Sequence, residues 1–303
     1  MDWDEYCKLD RMNASTLVYA AHSMKRMKRI MDSGFGEESD AMRLGTGIHV
    51  LLLEPDEFEE RFAVMPDFEN DIGNMRAAKR KDEPDKERRT TSKQTKYYKA
   101  KAAHFKQTTD KSILTRAEYD TALHAIEELR SRPHIVEVLD QCEKEQTLLG
   151  EIHGVPFKGR VDLLRVKRPL VVDLKTTKDC HKSAFGKQFM RLRYDMKLAI
   201  YRELATQRLG EKPEVAVITQ EVEGDFDNTF VPVSDAVLDN AWGKVVKLLA
   251  KYVEAKKENY WPGVDGGKKL YELVIPNWAM EEDDEMDWSD VESKEEPMLE
   301  PHF

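Results

Sequence analysis

Apolar and polar residues change their rhythm along this chain. The first apolar positions recur at helical spacing, and "NASTLVYAAHSMKRMKRIMD" (13–32) predicts a helix with Asn13 or Ser15 as its N-cap. "GFGEES" breaks it, and "AMRLGTGIHVLLLEPDEF" predicts a second, largely buried helix that ends at Pro55. Residues 67–95 lack periodicity and carry many charges, which predicts a mobile loop. Helical spacing returns over 96–130, with Tyr98, Phe105, Leu123, Ile126 and Leu129 at core positions.

The period then shortens. "QTLLGEIHGVPFKGRVDLLRV" predicts two strands around a Gly-Val-Pro turn. "PLVVDLKTT" is continuous and β-branched, as expected of a strand buried on both faces. A helix over 184–209 ends at Gly210; "EVAVITQEV" and "DNTFVPV" predict further strands. A long helix follows over 234–260, capped by Ser234 or Asp235. Helices, a central sheet and helices again define an α/β or α+β mixed domain.

Charge alters this picture more than overall composition does. The chain is 40% hydrophobic, enough for a sizeable core, yet 35% charged, with a net charge of −10. Residues 281–300 hold eleven acidic residues and one lysine, so the remainder is neutral. Within that remainder, residues 71–111 hold thirteen Lys and Arg against six Asp and Glu. A basic interior stretch of this kind suits a polyanionic partner, and Arg76, Lys79, Arg80 and Lys81 are its candidate contacts. The alternative is a solvated loop. No apolar run has the length of a membrane span and no signal peptide opens the chain. Cys7, Cys142 and Cys180 form no paired motif, which points to a reducing cytoplasm.

The chemistry concentrates in "GRVDLLRVKRPLVVDLKTT" (159–177). Asp173 and Lys175 are two apart in a strand and point the same way, while the Leu174 carbonyl stays beside them. If "VKRP" turns the chain into a hairpin, Asp162 arrives next to Asp173. Two carboxylates and a carbonyl make an oxygen-rich site for a hard cation such as Mg²⁺. A lysine alongside can orient or help deprotonate a water there, which is equipment for phosphodiester hydrolysis. Asp-x-Lys alone is a short pattern. Burying it inside "LVVDLK" is costly unless the charges are paired or bound to metal.

These stretches together resemble the RecE-like exonucleases of the PDDEXK nuclease superfamily. "LGTGIHVLLLEPDEFEERFAV" (44–64) is similar to that family's G-T-x-x-H helix, and "GRVDLL" and "VVDLKTT" to its two acidic strands. "YDMKLAIYRE" (194–203) resembles its Y-D-M-Q-x-x-x-Y helix, and "YWPGVDGGKKLYELVIPNW" (260–278) its closing segment. The resemblance implies a central mixed sheet flanked by helices over residues 1–280, and the charge count marks 281–303 as an acidic tail expected to be disordered. It implies His49, Asp162, Asp173 and the Leu174 carbonyl as metal ligands and Lys175 as the catalytic lysine, with Mg²⁺, or Mn²⁺ in its place. Without it, a lone His on an apolar helix reads as an ordinary core residue. Glu54 lies about 140° around the helix from His49, so it is a poor partner for the same ion. Glu145 would either support the site or occupy a surface strand position.

Lys197 departs from the family, which places glutamine there. It shares a helix face with Tyr194 and Tyr201, the candidate DNA contacts of that segment. If the face looks inward, Lys197 adds a charge near the scissile phosphate as a further catalytic candidate; otherwise it meets solvent. The implied activity is a 5′–3′ exonuclease on double-stranded DNA ends, leaving 3′ single strands for an annealing partner. A ring-shaped homo-oligomer is expected. An endonuclease of the same fold, or a degraded fold serving as a DNA-binding or assembly module, are the alternatives. No phosphate-binding G-x-x-x-x-G-K-[ST] loop occurs, so no ATP motor is expected.

Overall fold

The computed structural model of the chain describes residues 3–36, 38–68 and 96–266. The basic contacts Arg76, Lys79, Arg80 and Lys81, the expected loop from residue 69 onward and the acidic tail lie outside the described residues. One compact unit spans Met1–Val264, and Asp265–Phe303 form a second.

The chain opens with α1 (Trp3–Lys8), which leads into the short β1 (Met12–Asn13). The Asn13 side chain then accepts from Thr16 N at 2.7 Å and caps α2 (Ala14–Leu17). The expected helix over 13–32 is in fact three pieces: α2, a 3₁₀ turn (Val18–Ala21) and α3 (Met24–Ser33). Ser23 causes the break, because its extended backbone and its side-chain bond to Arg26 N start a new helix. Next come α4 (Asp40–Leu53), α5 (Phe58–Arg61) and β2 (Phe62–Val64).

Residues 96–130 are likewise divided, into α6 (Lys96–Gln107), β3 (Ser112–Leu114) and α7 (Arg116–Ser131), the last started by a Thr115–Glu118 capping box. Ile126 and Leu129 are buried as expected, whereas Leu123 is exposed. After α8 (Pro133–Gln141) come β4 (Glu143–Ile152), β5 (Val155–Arg165) and β6 (Leu170–Thr177). The expected helix over 184–209 is two, α9 (Lys182–Arg191) and α10 (Tyr194–Leu209), separated by Arg193 in the left-handed region at φ 57°. β7 (Glu214–Glu221), β8 (Asn228–Pro232) and α11 (Asp235–Glu258), with Ser234 at its N-cap position, complete the order.

The main sheet has six strands and mixed polarity: β5–β6 and β7–β8 are antiparallel, β6–β7 parallel. β4 covers one edge of β5 from Val155 to Leu164. β1, at Phe157–Lys158, and β6, at Leu163–Arg165, therefore share the other edge. Between them, residues 159–162 have no strand partner on that edge in the described sheet. The "VKRP" turn does make β5 and β6 a hairpin, and the next pair in its register is Asp162 with Asp173.

Two apolar layers cover the sheet. Leu198, Ala199 and Leu204 of α10 and Val245 and Leu249 of α11 pack with Phe157, Val161 and Val171. Ile48 and Leu52 of α4 and Ile126 and Leu129 of α7 pack with Leu163, Val172, Leu174 and Ile218. Two glycines let α4 approach closely. A Cβ on Gly45 would lie 3.0 Å from Thr176 Oγ1, and one on Gly47 would lie 2.9 Å from Leu114 Cδ1. His49, one turn beyond Gly45, is thereby held over the open edge of β5.

Candidate active site

The open edge of β5 forms the floor of a cleft of about 890 Å³ lined by His49, Glu145, Asp162, Leu174 and Lys175. Asp162 Oδ2 accepts from the Leu174 backbone N–H at 2.6 Å. The same oxygen lies 3.7 Å from His49 Nδ1. One donor atom each from His49, Glu145 and Asp162 falls within a group no wider than 4.8 Å.

A backbone irregularity brings Glu145 there. The register places it opposite Asp162, between the pairs Lys144–Leu163 and Gln146–Val161, yet it adopts φ 49°. Non-glycine residues enter this left-handed region at a cost and chiefly where surrounding structure imposes it. The alternation of β5 breaks at the same point. Val161 faces the α10–α11 layer, and Leu163, two residues on, faces the α4–α7 layer. The kink takes Glu145 off the ordinary pleat, and its side chain is only 14% exposed. Sequence alternation carries no sign of a positive φ, so the two alternatives for this residue could not be separated there.

Arg160 manages the resulting acid density. Its Nε donates to Glu145 Oε2 at 2.7 Å and its Nη2 to Glu54, whose other oxygen takes Arg61 Nη1 at 3.0 Å. Glu54 thus serves these two arginines and stays outside the His49 group, as its helical angle suggested. Burial, reinforced by the Asp162 charge, pushes the Glu145 carboxyl up to about 7 despite Arg160. Nothing in the sequence marked Arg160, because an arginine in a strand with polar alternation has no signature of its own.

Asp173 and Lys175 point to one side as the strand period requires, and they pair: Lys175 Nζ lies 2.5 Å from Asp173 Oδ2 and donates to the Leu174 carbonyl at 3.1 Å. Burial raises the Asp173 carboxyl, offset by Lys175. For Lys175 burial works downward, but the Asp173 and Asp162 carboxylates win and hold it above the ordinary lysine value. Asp162 and Asp173 therefore meet at the splayed end of one hairpin, the first beside His49 and the second beside Lys175.

Tyr194 is buried and Tyr201 half-buried; both line the cleft. The Tyr194 ring has Lys175 Nζ at 5.3 Å and Lys197 Nζ at 5.4 Å from its centroid. Lys197 thus faces Asp173 and Lys175, not bulk solvent. Burial and the Lys175 charge lower its ammonium to about 8. The described residues also bring in Trp3 and Tyr6. The Trp3 ring sits 5.4 Å from the Arg61 guanidinium and 5.6 Å from that of Arg160. Lys158 Nζ pins this segment by donating to the carbonyls of Tyr6, Cys7 and Leu9.

A mixed sheet with an acidic hairpin, an adjoining lysine and a histidine-bearing helix defines a nuclease-like α/β domain. The chain belongs to the PDDEXK-like family: the model of a PDDEXK-like domain of unknown function (DUF3799) matches residues 12–271. Comparison with curated proteins returns no match. Among solved structures, the chain is similar to a "Putative exonuclease" from Eubacterium rectale, at 14% identity and TM-score 0.58, over 93% of this chain and 98% of that one. It also matches a phage related exonuclease from Haemophilus somnus 129PT at 12% identity and TM-score 0.29, over 54% of this chain and 84% of that one. No helix among the described residues is long and apolar enough to cross a membrane.

Proposed function

We propose that the protein is a divalent-metal-dependent deoxyribonuclease. The observation that carries this is the meeting of His49, Glu145, Asp162 and Lys175 in one cleft; Asp173, paired with Lys175, lies behind that lining and outside the three-residue group. The donor set fits a hard or borderline cation: one imidazole nitrogen and carboxylate oxygens, close together and largely out of water. His49, Asp162 and Asp173 would hold Mg²⁺ or Mn²⁺, with Glu145 and the Leu174 carbonyl as further oxygen donors. Bound there, the ion would polarise a phosphoryl oxygen and make water a nucleophile at neutral pH.

The chain's own groups supply the rest. Lys175 Nζ already donates to an oxygen at the strand end, which suits it to orient a water or a phosphate oxygen. Lys197 adds a second cation against the negative charge that grows on the phosphate. Arg160 keeps Glu145 oriented toward the cluster. The exonuclease description of the E. rectale protein favours an exonuclease over an endonuclease. We further propose 5′–3′ resection of double-stranded DNA ends by a homo-oligomeric ring, yielding 3′ single strands for an annealing protein.

Incubation with Mg²⁺ and a mixture of linear and closed-circular duplex tests this. Loss of the linear form alone is expected. Nicking of circles would make the protein an endonuclease, and survival of both forms would leave a DNA-binding or assembly module. End-labelled duplex gives the polarity.

A further inference from the structure

The cleft runs along α4, and its two ends differ. From Met42 to the Glu54 cap is twelve residues, about 18 Å along the helix, with His49 between them. At the Glu54 end, Trp3 lies over Arg61 and Arg160, and the segment that carries it is pinned by Lys158. That end is walled. At the other end Phe35, Met42 and Leu192 line the same cleft, exposed by 48%, 59% and 41%.

Phe35 is presented unusually. It sits between Gly34, at φ 74°, and Gly36, and a Cβ on either glycine would touch nothing within 4 Å. Its inner side rests on Tyr19, with ring centroids 5.8 Å apart, and Tyr19 is backed by Arg26 at 5.3 Å. Among the described acids near this mouth, Asp40 pairs with Arg43 at 2.9 Å, Glu223 pairs with Lys178 at 3.0 Å and Glu38 accepts from the Thr46 hydroxyl at 3.1 Å. Arg191 adds a cation to the rim. An apolar patch rimmed by polar groups, continuous with a charged cleft, marks a binding surface.

We infer that Phe35 is a stacking platform for a nucleobase of the strand that enters the cleft from the Met42 end. This rests on the nuclease proposal for the identity of the ligand. Every base has a π-face, so stacking on one aromatic ring holds a strand without reading its sequence.

The test uses the full chain in EDTA, so that no cleavage is read. Fluorescence anisotropy compares a labelled 12-nucleotide oligothymidylate with an abasic oligomer of equal length and charge. Wild type should bind the base-bearing oligomer about tenfold more tightly. Phe35→Ala should bind both alike, at the wild-type abasic affinity, and Phe35→Trp should keep the preference. Equal weakening on both oligomers, an unchanged preference in Phe35→Ala, or no preference in wild type each overturns the inference. Thermal melting checks that the variants fold. The outcome is separable from the nuclease proposal. A protein that leaves duplex intact but loses base preference on Phe35→Ala sustains the platform alone. One that degrades duplex without that preference sustains the nuclease alone.

Discussion

Asp162 Oδ2 takes the backbone N–H of Leu174 at 2.6 Å, just past Leu163–Val172, the last registered pair of the β5–β6 hairpin. A side chain thus supplies the acceptor that a ladder carbonyl would have offered, and the strands part where two carboxylates meet. Asp162 is therefore both a structural acceptor and a candidate ligand. Asp162→Ala should orphan a buried N–H and cost about 1–3 kcal/mol. Asp162→Asn keeps an acceptor and should cost less than half as much. Both should lose Mn²⁺ binding and hydrolysis. Urea unfolding with calorimetry checks this, and tight Mn²⁺ binding by Asp162→Asn would take Asp162 out of the ligand set.

The Asp173–Lys175 pair gives a second, asymmetric expectation. Asp173→Ala relieves repulsion from Asp162 but strands a largely buried ammonium, and breaking a buried pair typically costs about 3–5 kcal/mol. Part of that will be recovered, since Lys175 is 20% exposed and keeps the Leu174 carbonyl. A net loss of about 2 kcal/mol and abolished cleavage are expected. Lys175→Met should retain Mn²⁺ binding and lose cleavage by at least a hundredfold. Lost metal binding in Lys175→Met would assign the lysine to structure instead.

The hairpin, its two acids and the lysine were legible in the sequence because each follows from a local rule. A β-branched run gives the strand, period two puts Asp173 and Lys175 together, and a short polar turn returns the chain. His49 was legible only through the family-like spacing of "LGTGIH"; the packing reason, Gly45 against Thr176, needs two distant segments in contact. Glu145 and Arg160 were not resolvable, since a positive φ and a bridging guanidinium leave no periodic trace. The breaks at Ser23 and Arg193 were missed for a similar reason: apolar spacing continues across both, and no glycine or proline marks them.

Glu145 links metal binding to pH. Its carboxyl is raised to about 7, so below that pH a cation must displace a proton to use it. Mn²⁺ affinity should fall as pH drops from about 8 to 6, with proton release visible as a buffer-dependent binding enthalpy. Without metal the folded state holds the extra proton between the ordinary glutamate value, about 4.3, and 7. This contribution to stability is therefore present at low pH and lost as pH rises through 7. Glu145→Gln should weaken Mn²⁺ binding about tenfold at pH 8 and flatten its pH dependence. Wild-type affinity in that variant would place Glu145 outside the ligand set.

The basic stretch can be tested without reference to its conformation. Each phosphate contact adds about 0.9 to the slope of log affinity against log salt. Neutralising Arg76, Lys79, Arg80 and Lys81 together should weaken duplex binding and lower that slope by up to about 3.6. An unchanged slope would show that these four side chains touch no phosphate.

Lys197 supplies the clearest titration. Burial and Lys175 lower its ammonium to about 8, while an unfolded chain keeps a lysine near 10.4. Between these values the unfolded state holds the extra proton, so stability rises with pH across that window. Below 8 both states are charged and the full penalty of the buried cation is felt. Lys197→Gln should therefore be more stable than wild type at pH 7, by about 1 kcal/mol after discounting for partial solvent access. The advantage should shrink steadily from pH 8 to 10. Urea unfolding of both proteins at pH 7, 8, 9 and 10 reads this directly. DNA binding reads the functional half. If the Lys197 ammonium faces the phosphodiester, wild-type affinity falls through pH 8 and the affinity of Lys197→Gln stays flat. Parallel binding curves for the two proteins would remove Lys197 from substrate contact, and parallel stability curves would mean that its ammonium is solvated after all.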